Sequence, residues 1–496
     1  MNLTVFDLIA DLIEKALICK PYGTDLVITK EMSDELEEKA KTLIFREYDT
    51  EYDINSIKSD SRKNISSKIF NGIITSCKEK NDFFLYRHVL CQLDLLVNIN
   101  KLIGDLDFSA LRGNDEKKSF ECLNSNANLT GIMIIPKVPT PQQTFCSKND
   151  SEIKDEKYRN SSFWYDNLNE HFNNIIYIQR SQLENYKISN VVIDVFKGEE
   201  RDNITIGITP GCNLNLNDLL KVEKGYDKKT NRFYFRINGY KNEKQLNDIF
   251  LKALEKAKEY DIDILVGSEM LGTPFLCDVN DLGFNYLYVN DQDFPRIIVP
   301  PSMWKNNTNS ISIFYKNGEQ IGRQYKQNPF GWRIGERMYM EDLCNSPKEI
   351  LIVHVPGWGR LGFPICKDYI VQKYRDILVK KLKIDFIICP SFSDKKIQFL
   401  NASASDREFG VRTIWINSCA ISKKDVSEGV GTVSVPVASI DSFEKSNQII
   451  QPNCDGDCFN GCLFKIKIQL RNKDEKHCNE VEITHILPPK KLIKES

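Results

Sequence analysis

The chain has 496 residues, 41% of them hydrophobic and 27% charged, with 67 Lys and Arg against 69 Asp and Glu. That length exceeds one ordinary hydrophobic core, so at least two domains are expected, and the near-cancelling charge gives no global attraction to nucleic acid. No stretch is apolar for long enough to span a bilayer, so no membrane partner is expected.

The opening "MNLTVFDLIADLIEKALICKPYG" places Phe6, Ile9, Leu12, Ile13 and Leu17 on one helical face, with Asp7, Asp11 and Glu14 opposite. It has neither the basic start nor the unbroken apolar run of a secretory signal, so the expected location is cytoplasmic. In that reducing compartment the fifteen cysteines should stay mostly unpaired. "SDELEEKAKTLIFREY", "SSKIFNGIITSCKEK" and "DFFLYRHVLCQLDLLVNINKLIG" continue the three- and four-residue spacing. Residues 1–135 are therefore expected to be an all-α region of unassigned task, whose helices are available to another protein. Residues 136–187 begin with a run rich in Pro, Ser, Asn and charge, and are read as a linker and an unassigned segment.

From residue 188 to 488 the pattern changes to strands alternating with helices, as expected of a single α/β domain. "VVIDVF" and "ITIGITP" read as strands, "EKQLNDIFLKALEKAKEY" as an amphipathic helix, and "DIDILVGSEM" as a buried strand ending on Glu269. "SISIFYKNGEQIGRQYK" reads as a hairpin closing on Lys326. "EILIVHVPGWGRLGFPIC" reads as two short strands, and "KDYIVQKYRDILVKKLK" as a helix carrying Ile370, Tyr374, Ile377, Leu378 and Leu382 on one face. Cys366 falls at that strand-to-helix junction. A buried cysteine ordinarily acts as a small hydrophobe, but the positive end of a helix favours a thiolate, which makes this one a candidate nucleophile.

A thiolate attacking a carbonyl needs a base, an oxyanion stabiliser and a proton route to the leaving amine, and Glu269, Lys326 and Cys366 supply those parts. The five histidines stand in unlike contexts, and none is singled out as a partner for the thiol.

These stretches resemble the nitrilase, or carbon-nitrogen hydrolase, superfamily over most of 188–488. "ALEKAKEYDIDILVGSEMLGTP" is similar to its helix, strand and catalytic glutamate, and "NSISIFYKNGEQIGRQYKQNPFGWRIGER" to its hairpin, catalytic lysine and second glutamate, here Glu336. "RLGFPICKDY" is similar to its Gly-x-x-x-Cys-x-Asp nucleophile turn, and "REFGVRTIWINSCA" and "GTVSVPV" to later elements. The resemblance implies a four-layer αββα sandwich, a homodimer, and attack on a small-molecule, non-peptide amide-like carbon without cofactor or metal. It implies Glu269 as general base, Lys326 and the Lys367 amide as oxyanion stabilisers, Cys366 as nucleophile, and Glu336 as the acid that positions Lys326. Asn328 and Pro329 depart from the histidine many members carry after the lysine, which bears on the substrate side of the pocket. Trp332, Arg333, Trp358 and Phe363 are the candidates for its lining.

Two readings compete with hydrolysis: acyl transfer to an amine by the same residues, and a metabolite-binding sensory module. One more cluster, "CDGDCFNGC", spaces Cys454, Cys458 and Cys462 four apart, with His477 and Cys478 downstream. It lacks the second close pair of a zinc site and is read as a turn between strands.

Overall fold

The computed structural model describes residues 3–19, 30–47, 58–80, 83–108, 119–139, 168–170, 172–196, 201–211, 216–278, 295–316, 318–421, 429–436, 447–451, 461–470 and 480–487. The chain divides into two compact units. The first is Met1–Gly198 with His354–Gly357, and the second is Glu199–Val353 with Trp358–Ser496.

In the first unit the amphipathic stretches form helices Val5–Ile18, Lys30–Glu47, Ser67–Lys80, Phe83–Leu96 and Ile99–Leu106. The last two come from one continuous apolar pattern. Asn98 separates them, because its side chain accepts the amide of Lys101 at 3.1 Å and starts a new helix. Phe6, Ile9, Ile13, Ile73, Tyr86, Val89 and Leu93 are buried in one core. The region expected to be purely helical ends in a strand, Ile132–Pro136, which pairs antiparallel with Ile175–Gln179 from the segment expected to be linker. Both strands bury apolar side chains, and Ile132, Ile134 and Ile175 join the helical core, so the strand run adds to the helices' packing.

Asp7 holds the start of this unit. Its Oδ2 accepts the Thr4 amide at 2.9 Å and closes a capping box, while Oδ1 accepts the amides of Ser125 at 2.7 Å and Asn126 at 2.9 Å. Asp7→Ala is expected to lower stability by about 3 kcal/mol, since it leaves buried amides without an acceptor. Denaturant unfolding of the full chain measures it, and an unchanged midpoint would count against this role.

The second unit is built on two sheets. In one, parallel strands Asn203–Gly211, Ile264–Gly267 and Ile297–Val299 lie side by side. Thr308–Tyr315 and Gln320–Tyr325 extend it on one flank, Cys462–Gln469 and Val481–Leu487 on the other. The other runs Glu349–Val355, Gly359–Gly362, Phe386–Ser391, Arg412–Asn417, Gly431–Ser434 and Asn447–Ile450. The central strands are buried almost throughout and mostly apolar, as expected of strands covered on both faces. Helix Glu243–Glu259 packs on the first sheet, helix Lys396–Arg407 packs on the second, and strands Asn203–Gly211 and Arg412–Asn417 meet between them.

A third, four-stranded sheet was not set apart in the sequence. Leu220–Asp227 and Arg232–Tyr240 form a hairpin, Arg337–Glu341 adds parallel to the latter, and Gly331–Ile334 completes it. Its Leu220 and Ile237 share a hydrophobic cluster with Met270 and Phe392, which follow strands Ile264–Gly267 and Phe386–Ser391 of the two larger sheets. Burying each such side chain contributes about 1.5–3 kcal/mol. No helix among the described residues is long and apolar enough to cross a membrane.

Candidate active site

Glu269 follows strand Ile264–Gly267, and its loop is held in place by a neighbouring one. The Met270 amide donates to Ser302 Oγ at 2.9 Å, and the Gly272 amide to the Ser302 carbonyl at 3.0 Å. Gly267 permits this closeness, since a Cβ there would lie 2.5 Å from the Pro301 ring. Lys326 follows strand Gln320–Tyr325, and its amide donates to the Asn309 carbonyl at 2.8 Å. Both side chains are fully buried.

The Lys326 ammonium lies 2.7 Å from Glu269 Oε1 and 2.6 Å from Glu341 Oε2. Asn309 Nδ2 donates to Glu269 Oε1 at 3.0 Å and to Glu341 Oε1 at 3.3 Å, and the Phe330 amide donates to Glu341 Oε2 at 2.9 Å. Two carboxylates thus share one cation and a common amide. Buried charge is costly without a partner, and each member of this chain has one.

The second acid beside Lys326 is therefore Glu341, and Glu336 is elsewhere. The hairpin turns at Gly335, with a φ of 60°, and Ile334 pairs with Arg337. Glu336 thus sits at the exposed turn, whereas Glu341 ends the strand and points inward. Glu341→Gln is expected to lower kcat about a hundredfold or more, whereas Glu336→Gln leaves it within twofold. Steady-state kinetics of the two variants side by side tests this placement, and the reverse result would restore Glu336.

Cys366 is buried and takes a φ of 49° with a ψ of −109°, a region L-residues rarely occupy and which costs about 1–3 kcal/mol. The fold holds it there on both sides: its amide donates to the Pro390 carbonyl at 2.8 Å, and its carbonyl accepts the Tyr369 amide at 3.0 Å. The thiol and the Glu269 carboxylate lie close enough to influence each other's proton affinity. Glu269 Oε2 has no hydrogen bond of standard geometry, which leaves it open to a proton.

Asp368 connects the cysteine turn to the lysine strand. It accepts the amides of Gln327 at 3.0 Å and Asn328 at 2.7 Å, and Asn328 Nδ2 at 2.9 Å. Asn328, where a histidine was the comparison, thus anchors this aspartate. Burial pushes Asp368 up to about 7, against the Asn328 amide and the Lys326 charge. Lys367 opens a one-turn helix, Lys367–Ile370, and its ammonium donates to the Pro329 carbonyl at 2.8 Å. Its own amide has no acceptor within that turn. The expected longer helix is broken at Val371, which is extended, and continues as Gln372–Asp376 and a π-turn, Ile377–Lys381.

That short turn supplies little dipole, and the thiol state follows burial instead. Burial and the Glu269 charge hold Cys366 well above the ordinary thiol value, and Lys326 only partly opposes them. Burial likewise raises Glu269, against the pull of Lys326 and with the repulsion of Glu341. Lys326 is held well above the ordinary ammonium value: burial opposes its charge, and Glu269 and Glu341 outweigh burial. The resting site thus carries a protonated thiol beside an unusually basic carboxylate and a fixed cation.

An apolar cavity of about 140 Å³ has among its walls Met270, the residue after Glu269, Phe330, whose amide donates to Glu341, and Phe392. Trp332 lines it, whereas Arg333, Trp358 and Phe363 do not. Among the described residues no group of three or more His, Cys, Asp and Glu is arranged to hold a metal ion. Cys454, Cys458, His477 and Cys478 lie outside the described residues, and Cys462 is buried in strand Cys462–Gln469.

Neither Glu341 nor Asn309 was singled out in the sequence. Glu341 carried a signal, since it closes a short strand as Glu269 does. Asn309 carried none, because its role is to lie between two acids from different strands.

No protein-family model matches the sequence, and no curated protein sequence matches it. The structure is similar to solved members of the nitrilase superfamily over about 55% of the chain. The NitFhit protein of C. elegans matches with a TM-score of 0.36 and 14% identity, over 55% of this chain and 62% of that one, under two thirds of its length. A variant of the amidase from Nesterenkonia sp. AN1, with the acetamide moiety of fluoroacetamide on its active-site cysteine, matches with a TM-score of 0.33 and 11% identity. That match covers 54% of this chain and 90% of the amidase. Saccharomyces cerevisiae Nit3, of branch 10 of the superfamily, matches with a TM-score of 0.33 and 13% identity, over 58% and 92%. At these scores the likenesses bear no part of the chemical argument, which rests on the side chains.

Proposed function

We propose that the second unit is an αββα-layered carbon-nitrogen hydrolase that cleaves a small, non-peptide amide through a thioester on Cys366. The observation that carries this reading is the buried Glu269–Lys326–Glu341 chain set against a cysteine in a strained turn. Strain and buried charge are both costly, and a site that holds them together has a chemical use for them.

Glu269 takes the thiol proton as sulfur attacks the carbonyl carbon, and the negative oxygen that develops is met by Lys326 and the Lys367 amide. As the carbon–nitrogen bond breaks, Glu269 returns that proton to the departing amine, leaving a thioester. Water then gives a proton to Glu269 and its oxygen to the acyl carbon. The acid leaves and the proton returns to sulfur. Glu341 and Asn309 keep Lys326 aimed at the oxyanion without taking part in proton transfer.

The pH dependence follows from the proton states. Glu269 must be ionised to accept the thiol proton, and its value lies above the ordinary 4.5, so kcat/KM should fall with acid through a midpoint above 4.5. Both Cys366 and Lys326 are held above their ordinary values, so no alkaline decline is expected below 9.0. A rate profile with an acid midpoint at or under 4.5 would remove Glu269 as the base. The reading as a whole is tested by turnover of simple amides, ω-amides and N-carbamoyl compounds, with ammonia or amine release as the readout.

A further inference from the structure

We propose that the apolar cavity walled by Met270, Phe330 and Phe392 is the acyl-group pocket and that it selects uncharged acyl groups bearing an aliphatic or aromatic substituent of about five to seven carbons. This rests on the reading above that Cys366 is acylated. The cavity is placed by the catalytic groups themselves. Met270 follows Glu269, the Phe330 amide donates to Glu341, and Phe392 lies two residues after Pro390, whose carbonyl accepts the Cys366 amide at 2.8 Å; all three side chains form walls. In this assignment the substituent of an acyl group carried on the Cys366 sulfur lies in this space.

The opposite wall comes from the third sheet. Val222 pairs with Ile237 across the hairpin and Phe235 follows two positions before Ile237, so the pleat presents all three on one face, into the cavity. Trp332 closes the end, edge-on to Phe235 with ring centroids 5.8 Å apart. Nine of the ten wall residues are apolar, and the tenth, Asp394, is an exposed anion. A carboxylate on the acyl chain would meet no cation there and would face Asp394, and an uncompensated charge is excluded from such a space. Lys224 lies 4.7 Å over the Trp332 ring but is not a wall of this cavity. The volume of about 140 Å³ is close to the ~150 Å³ of an apolar protein cavity known to hold benzene.

The test is calorimetric titration of full-length Cys366→Ala with acetamide, hexanamide, phenylacetamide and succinamate. Hexanamide and phenylacetamide should bind at least tenfold tighter than acetamide and succinamate. On the same background Trp332→Ala should weaken phenylacetamide about tenfold with acetamide unchanged. Val222→Phe, which fills the cavity, should remove hexanamide binding if Trp332→Ala does not fold. Succinamate binding as tightly as hexanamide, no binding by any of the four, or indifference to both substitutions would each overturn the assignment. Wild-type kinetics separates it from the reading it rests on. Faster turnover of succinamate than hexanamide would leave the hydrolase and remove the pocket. Selective hexanamide binding with no amide turned over would leave the pocket and remove the hydrolase.

Discussion

Cys366→Ala is expected to abolish turnover, with a loss of about four orders of magnitude or more, and to leave the fold intact. The side chain supplies the only bond to the acyl group in the proposed path. Alanine loses one atom and keeps the amide and carbonyl bonds to Pro390 and Tyr369 that hold the turn. Groups that act as a unit are non-additive, so adding Glu269→Gln should worsen the variant little. Intact-mass measurement after mixing with substrate should find an acyl adduct on the wild type and none on Cys366→Ala. An adduct on Cys389, or wild-type turnover in the variant, would move the nucleophile elsewhere.

Lys326→Ala should cost both activity and stability, and the two losses should respond differently to pH. Without the ammonium, Glu269 and Glu341 are two buried carboxylates bridged by the Asn309 amide, with no cation between them. Removing one member of a buried ionic network costs about 3–5 kcal/mol. Burial already raises Glu269, and the variant loses the cation that opposes that rise, so the folded state binds a proton there more readily than the unfolded chain. Stability relative to the wild type should then be poorest at alkaline pH and recover as acid protonates Glu269. Turnover should not recover, because a protonated Glu269 is no base. Urea midpoints at acidic and alkaline pH, with activity measured alongside, distinguish this from simple loss of packing, which would show no pH dependence.

What was legible in the sequence was local. Apolar runs marked the central strands, because strands covered on both faces are mostly apolar along their length. Glu269 and Lys326 stood out as ionisable residues just past such runs, and Cys366 as a thiol between a strand and a helix start. The helices of residues 1–135 followed from their periodicity, and their break at Asn98 had a capping residue in plain view.

What only the tertiary structure decided was which distant groups meet. Glu269 and Lys326 come together because their strands belong to one sheet, and Cys366 reaches them from the other. Asp368 joins the two through amides whose partners no spacing rule names. Glu336 and Glu341 are five residues apart and alike in type. A turn at Gly335 sends one to solvent and leaves the other buried on Lys326. The thiol state was decided in the same way: position at a helix start suggested a thiolate, and full burial beside Glu269 imposes a protonated thiol. Sequence pattern reports which face of an element is apolar. The electrostatics of a site depends on distances between elements, and those are set by sheet order and packing.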